Sequence, residues 1–226
     1  MAKKYSIAID GPAGAGKSTI AKRLAKELGY YYVDTGAIYR TVAYFLDLLG
    51  ISPKDVDNVN RYIDELTIGI EYDEDGLQHM IMNGMDVTGE IRTQDISQKA
   101  SLVSAHAVVR DVLLDMQRDV AKVHNVIMDG RDIGTVVLPK ADVKIFLTAS
   151  PEVRAKRRTD ELIAKGQKAN FDQILKEIKQ RDYQDTHREV APLKMARDSI
   201  KVDTSEMDIE QVIAAIRDIV GKKIPV

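Results

Sequence analysis

A glycine-rich segment near the start of the chain has the spacing of a phosphate-binding loop, G-x-x-x-x-G-K-[ST]. It consists of Gly11, Pro12, Ala13, Gly14, Ala15, Gly16, Lys17 and Ser18. Glycines let successive backbone N–H groups point inward at a polyphosphate. Lys17 would reach the β- and γ-phosphates, and the Ser18 hydroxyl would sit on Mg²⁺. Because a random chain of this length carries the pattern on the order of once in a hundred, the segment predicts binding of a nucleoside triphosphate.

The charged residues after the apolar run 126–128 predict a metal and substrate site. Asp129 ends that run and resembles the Walker-B carboxylate that faces a phosphate-binding loop and Mg²⁺. Gly130 permits a tight turn, after which Arg131 and Asp132 follow. These two charges either pair with each other or contact a ligand. Their position at the C-terminal end of a strand, where α/β folds bind substrates, favours contact with a ligand.

An arginine-rich segment follows Ser150. Offsets of three and four residues put Arg154, Arg157 and Arg158 on one helix face. These arginines either form an exposed basic face paired with neighbouring acidic residues, or belong to a mobile segment that closes over ATP and neutralises transition-state charge.

Two more polar groups have a structural and a functional interpretation. Thr35 either caps a helix or hydrogen-bonds a ligand, and Arg40 is either solvated or in contact with that ligand. Arg181, Asp185 and Arg188 share one face if the helix that begins near 171 continues. They form either a surface salt-bridge ladder or a grip in which the arginines hold a phosphate.

Composition and charge are those of an ordinary globular protein. The chain has 226 residues, of which 44% are hydrophobic and 30% charged. The formal net charge of −2 gives no indication of a nucleic-acid or membrane-surface partner. The lack of cysteine excludes disulfides and suits a reducing compartment. Because no apolar run approaches the roughly 20 residues of a membrane span, and no signal-peptide core precedes the first strand, we expect a cytoplasmic protein.

Alternating strand and helix patterns predict an α/β doubly wound parallel sheet of five strands flanked by helices. Strands are expected at 5–9, 30–33, 126–128, 143–147 and 200–202. Helices are expected at 17–28, 37–49, 94–118, 151–165, 171–183 and 208–220. Residues 66–88 break the alternation, because two turn signals there separate three short extended runs. They predict a small antiparallel three-stranded insert, in which Met80, Met82 and Met85 are expected to pack.

The motifs together resemble those of the bacterial cytidylate kinase family. They are GPAGAGKST, DTGAIYR, GEIRTQDIS, DGRDIGTVV, VKIFL and the late RD-x-x-D-x-x-R with VAPL. The resemblance spans about residues 5–220 and implies a single, monomeric P-loop kinase domain. It implies transfer of the ATP γ-phosphoryl group to CMP or dCMP, with Mg²⁺ as cofactor. It also implies a core at about 1–34, 93–153 and 173–226, a monophosphate-binding insert at about 35–92 and a lid at about 154–172.

The resemblance implies residue roles as well. ATP would be bound by Gly11, Pro12, Ala13, Gly14, Ala15, Gly16, Lys17, Ser18, Thr19 and Arg157. The monophosphate would be bound by Thr35, Arg40, Ser101, Arg110, Arg131, Asp132, Arg181, Asp185 and Arg188. The catalytic side chains would be Lys17, Arg131, Arg154, Arg158 and Arg188. Mg²⁺ would be held by Ser18 and Asp129, either directly or through water.

One implied contact conflicts with regular helix geometry. Ser101 and Arg110 would both read the cytosine edge, yet nine residues apart on a regular helix places them on opposite faces. Both can touch one ligand only if the helix breaks near 105–108, and the sequence carries no signal for that break.

Two other functions stay open at this level. One is a P-loop kinase for another small acceptor, such as UMP, AMP or shikimate. The other is a GTPase-like nucleotide switch, which is less favoured because no N-K-x-D guanine-reading motif occurs in the sequence.

Overall fold

Two sheets organise the chain in the computed structural model, which describes residues 3–224. The strands are β1 (Ser6–Asp10), β2 (Tyr31–Asp34), β3 (Ile68–Tyr72), β4 (Gln78–Met82), β5 (Met85–Asp86), β6 (Val126–Gly130), β7 (Val143–Thr148) and β8 (Ile200–Asp203). A five-stranded parallel sheet has the order β2-β6-β1-β7-β8, and a three-stranded antiparallel sheet has the order β3-β4-β5. The predicted fold class, with its antiparallel insert, is confirmed.

Helices cover both faces of the parallel sheet. They are α1 (Lys17–Leu28), α2 (Thr35–Leu48), α3 (Val56–Tyr62), α4 (Gln94–Val103), α5 (Ala107–Val123), α6 (Pro151–Ala164), α7 (Phe171–His187) and α8 (Ile209–Gly221). One core lies between the sheet and α1 and α8, and includes Ile7 and Ile9. The other lies on the opposite face, where Ala8 meets α2, α4, α5 and the insert. This split follows from the alternation of side chains along a strand.

Three expectations about local structure are wrong. The helix expected at 94–118 is two helices, because the N–H groups of Ala105 and His106 bond to carbonyls three residues back at 3.1 Å each and tighten the turn. The helix α3 was not expected at all. Met85 does not pack but is 59% exposed, whereas Met80 and Met82 are buried.

The helix α2 begins two residues before its expected start. The carboxylate of Asp34 accepts the backbone N–H of Ala37 at 2.9 Å and caps the helix. The cap is therefore Asp34, and Thr35 is already the first helical residue. No helix within residues 3–224 is both long and apolar enough to cross a membrane.

Candidate active site

The glycine-rich loop turns the chain directly from β1 into α1. Gly16 caps α1 with φ of 88°, a left-handed conformation that glycine adopts without strain. A Cβ atom on Gly11 would collide with the carbonyl oxygen of Leu147, so only glycine fits between the loop and β7. Lys17 donates from Nζ to the carbonyl oxygen of Pro12 at 2.8 Å. The lysine and the helix N-terminus therefore both lie at the place where a phosphate would bind.

The Lys17 side chain is buried, and this changes its protonation. Burial, followed by the positive charge of Arg131, lowers the pKa of Lys17 well below its usual range. A bound anion would act in the opposite direction. The lysine is therefore prepared for a negatively charged partner in a site that otherwise disfavours its charge.

Asp129 is held at three points beside the loop. Its carboxylate accepts the Ser18 hydroxyl at 2.8 Å and the Tyr32 hydroxyl at 3.0 Å. Its main-chain oxygen accepts the Thr35 hydroxyl at 2.7 Å. Burial, followed by the negative charge of Asp34, raises the pKa of Asp129. The adjoining hydroxyl and carboxylate oxygens are the kind of ligands that Mg²⁺ prefers.

A protein-only metal centre is not present among residues 3–224, where no three His, Cys, Asp or Glu side chains converge. An ion at Ser18 and Asp129 would therefore need further ligands from a bound nucleotide. Mg²⁺ commonly binds in this way, through one or two protein groups together with substrate phosphates.

Arg131 lies at the centre of an arginine cluster. Its Nε donates to the carboxylate of Asp185 at 2.8 Å, so Arg131 does not pair with Asp132. Burial, followed by the charge of Arg131, lowers the pKa of Arg181 to about 10. The Nε atoms of Arg181 and Arg40 are buried and have no hydrogen-bond partner. Since buried polar groups are normally paired, these two donors mark a place for an anionic ligand.

Asp132 pairs with two other arginines. Its carboxylate contacts Arg110, through a short ion pair, and Arg188 at 3.4 Å. Arg188 also donates to the Ser104 hydroxyl at 3.0 Å, and Arg110 donates to the Ser104 carbonyl at 3.1 Å. Ser104 occupies the break between α4 and α5, so the break brings Arg110 to the same cavity as Ser101.

The helix α6 carries three arginines with different surroundings. Arg154 is buried and donates to the Ala13 carbonyl in the loop and to both carboxylate oxygens of Asp182. Arg157 donates to the Thr204 hydroxyl at 3.1 Å and to the Thr204 carbonyl at 2.6 Å. Arg158 is half exposed and pairs with Glu161 at 2.8 Å. Among the three, Arg158 is the one not committed to the protein core.

One cavity of about 630 Å³ collects these groups, a volume typical of small-molecule sites. It is lined by every residue predicted for the site except Gly11 and Pro12. The loop and Ser18 form one side, and the arginine cluster with Asp132 and Asp185 forms the other. The helix face at 181–188 therefore borders a cavity and is not a surface ladder.

Several residues of the site carried no recognisable sequence signal. Tyr39 borders the cavity beside Arg110, with the guanidinium carbon 5.5 Å from its ring centre. Ser104 and Asp182 hold arginines, and Tyr32 holds Asp129. All four act through partners distant in sequence, which no local pattern encodes.

Asp10 ties the loop strand to the turn that follows β6. Its carboxylate accepts the backbone N–H groups of Ile133 and Gly134, both at 2.7 Å. Burial outweighs these two bonds and raises the pKa of Asp10 from 3.8 to about 6. The protonated form is thus favoured in the folded state, and ionisation destabilises the fold.

This raised pKa predicts a pH-dependent stability. The folded state binds more protons at Asp10 than the unfolded state between pH 3.8 and about 6, so the stability contribution of this group falls as pH rises through that window. Urea unfolding of the wild type and of Asp10→Asn, compared across pH, isolates the effect. The wild type should lose stability relative to the variant up to about pH 6 and then stay level. A relative gain with pH would mean that the two amides dominate.

The fold and the cavity define a P-loop phosphotransferase, with a phosphate-binding loop on one side and an arginine cluster on the other. Residues 7–222 match the family model for cytidylate kinase. The chain belongs to the cytidylate kinase family. It is an enzyme of that family, a kinase that uses ATP to phosphorylate CMP and dCMP.

Individual relatives agree over the whole length. The cytidylate kinase of Exiguobacterium sp. is 47% identical over 220 residues, which cover 97% of this chain and 98% of that protein. The cytidylate kinase of Carboxydothermus hydrogenoformans is 47% identical over 217 residues, which cover 96% and 97%. An uncharacterized protein from Eubacterium ventriosum aligns with a TM-score of 0.51 and 14% identity over 97% of this chain and 99% of its own. That last likeness concerns the fold alone.

Proposed function

We propose that the enzyme holds Mg²⁺–ATP on its glycine-rich loop and CMP or dCMP against its arginine cluster, and transfers the γ-phosphoryl group between them. The observation that carries this proposal is the single cavity of about 630 Å³ that both groups border. The unpartnered Nε atoms of Arg40 and Arg181 support an anionic acceptor on the side opposite the loop.

The donor half would be formed by the loop and by α6. Lys17 and the α1 N-terminus would bind the β- and γ-phosphates, while Arg157 would lie beside the nucleotide. Ser18 and Asp129 would hold Mg²⁺, which neutralises phosphate charge when bound. Arg154 donates to the Ala13 carbonyl, so it would stabilise the loop from behind, and Arg158 would be able to reach the transferring group.

The acceptor half would be formed by residues of α2, α4, α5, α7 and the turn after β6. Arg40, Arg131 and Arg188 would grip the CMP phosphate, with Thr35 and Asp185 beside them. Asp132 and Arg181 would contact the ribose. Ser101 and Arg110 would read the cytosine edge, and the break at Ser104 supports this pairing because it removes the conflict with regular helix geometry.

The chemistry would be positioning and charge stabilisation. The attacking group is a phosphate oxygen, already ionised at neutral pH, so no general base is required. Lys17, Arg131 and Arg188 would align the acceptor oxygen with the γ-phosphorus and stabilise charge on the group in transfer.

The organisation of the chain follows from these roles. The core would comprise about 1–34, 93–153 and 173–226, the monophosphate-binding insert about 35–92 and the lid about 154–172. The insert and the lid would close on the two nucleotides. We further propose that the protein works as a cytoplasmic monomer without nucleic-acid or membrane partners.

An acceptor panel tests the proposed substrates. With Mg²⁺ and ATP present, CMP and dCMP should stimulate ADP release far more strongly than UMP, AMP or shikimate. Coupled assays at matched acceptor concentrations measure this preference. A better rate with AMP or shikimate, together with inert CMP, would overturn the proposal.

A further inference from the structure

The open edge of the parallel sheet is covered by side chains of the insert. The strand β2 is at the edge of its sheet and pairs with β6 on one side only. Backbone groups of alternate residues on such a strand point away from the sheet and need other partners. Two side chains of the insert supply them: the Tyr72 hydroxyl donates to the Tyr32 carbonyl at 3.0 Å, and Gln78 binds Asp34.

The Gln78 amide matches the backbone of Asp34. Its Oε1 accepts the Asp34 N–H at 2.7 Å, and its Nε2 lies 3.4 Å from the Asp34 carbonyl oxygen and 2.9 Å from the Met80 sulfur. The side chain is only 7% exposed. A glutamine thereby takes the place that a neighbouring strand would have, and it fixes the last residue of β2.

Asp34 passes this constraint to the acceptor half of the cavity. Its carboxylate caps α2 at the Ala37 N–H and pairs with Arg40 Nη2 at 3.0 Å. Arg40 Nη1 folds over Gly36, where an added Cβ would lie 3.1 Å from it. The Nε of Arg40 stays buried without a partner. The position of Arg40 therefore depends on Asp34, and that of Asp34 on Gln78.

We infer that Gln78 is a positioning residue for the acceptor site: it anchors the insert to Asp34 and through Asp34 sets the place of Arg40. This inference rests on the proposed role of Arg40 in binding the acceptor phosphate. A second cavity of about 260 Å³, bordered by Gln78, Tyr32 and Arg40, separates the insert from the core beside this contact. Polar bonds thus carry much of the attachment there.

A double-mutant cycle tests the inference. Gln78→Met keeps the volume and removes both amide contacts, which leaves the Asp34 N–H unpaired. The KM for CMP should rise roughly 5- to 20-fold, as expected for loss of one buried hydrogen bond, while the KM for ATP stays within about twofold. In an Arg40→Met background, the same substitution should have little further effect, because residues that act as a unit are not additive.

Thr88→Val is the matched control. It removes a bond inside the insert, from the Met80 N–H to the Thr88 hydroxyl at 2.9 Å, and does not touch β2. The control should leave the KM for CMP unchanged even if it lowers the unfolding temperature. Should Gln78→Met not fold, Gln78→Glu keeps the accepting oxygen, adds charge beside Asp34 and should also weaken CMP.

The outcomes separate the two levels of the argument. Additive effects of Gln78→Met and Arg40→Met on the KM for CMP would overturn the positioning role. A lower unfolding temperature of Gln78→Met with an unchanged KM for CMP would do the same. If Arg40→Met alone left CMP binding intact, the proposed function of Arg40 would fail first.

Discussion

Lys17→Met should lower kcat about 100- to 1,000-fold, the usual loss when one stabilising donor is removed from a transferring group. Lys17 is the first residue of α1, and its Nζ returns to the Pro12 carbonyl at 2.8 Å inside the loop. It borders the cavity between Ser18 and Arg131. A positive charge there acts on phosphate oxygens in a site with little water, so its removal affects the transition state most.

The stability of the variant distinguishes this role from a structural one. Since burial lowers the pKa of Lys17, its charge disfavours the folded state when no anion is present. Lys17→Met should therefore unfold at a temperature close to that of the wild type without nucleotide, and should lose most of the stabilisation that ATP confers. Lys26→Met, at an exposed position of the same helix, is the control and should behave as wild type. Normal turnover of Lys17→Met would refute the loop assignment.

The fold was predictable because its elements are encoded locally. All five parallel strands appear where apolar runs indicate them, each within two residues at either end. The glycine-rich loop joins the predicted strand and helix, as its motif requires. The hairpins of the insert form at the Asp73–Gly76 and Asn83–Gly84 turns, which signal their positions through short-range preferences.

The pairing of charges was not predictable in the same way. Arg131 and Asp132 are neighbours in sequence, yet Arg131 bonds to Asp185 and Asp132 to Arg110 and Arg188. These partners lie 22 to 56 residues away, so only the tertiary structure selects them. The sequence places charged residues near the strand ends but leaves open whether they face one another or the ligand.

The break between α4 and α5 shows the same limit. Ser104 has no proline or glycine beside it, and the apolar pattern runs through the break. Its hydroxyl donates to the Ser101 carbonyl at 2.9 Å and accepts from Arg188, and its carbonyl accepts from Arg110. The helix thus ends where tertiary contacts take over its last polar groups, and a local pattern cannot carry that information.

Asp132→Ala should destabilise the protein by about 3–5 kcal/mol, the range for removing one partner of a buried ion pair. The side chains of Asp132, Arg110 and Arg188 are only 6%, 8% and 8% exposed. Without the carboxylate, two neighbouring guanidinium groups lose their common counter-charge and repel each other. Urea unfolding measures the loss, and Asp160→Ala, which breaks the exposed pair with Lys156, should change stability little.

Arg188→Met in the Asp132→Ala background identifies the cause. It removes one of the two unpaired charges, so it should recover part of the lost free energy of unfolding. The same substitution in the wild type should instead be destabilising, because Asp132 and Ser104 then lose a donor. Each single variant should raise the KM for CMP on the order of tenfold or more, since both groups border the acceptor half. If the double variant were simply additive in stability, mutual repulsion of Arg110 and Arg188 would not be what Asp132 relieves.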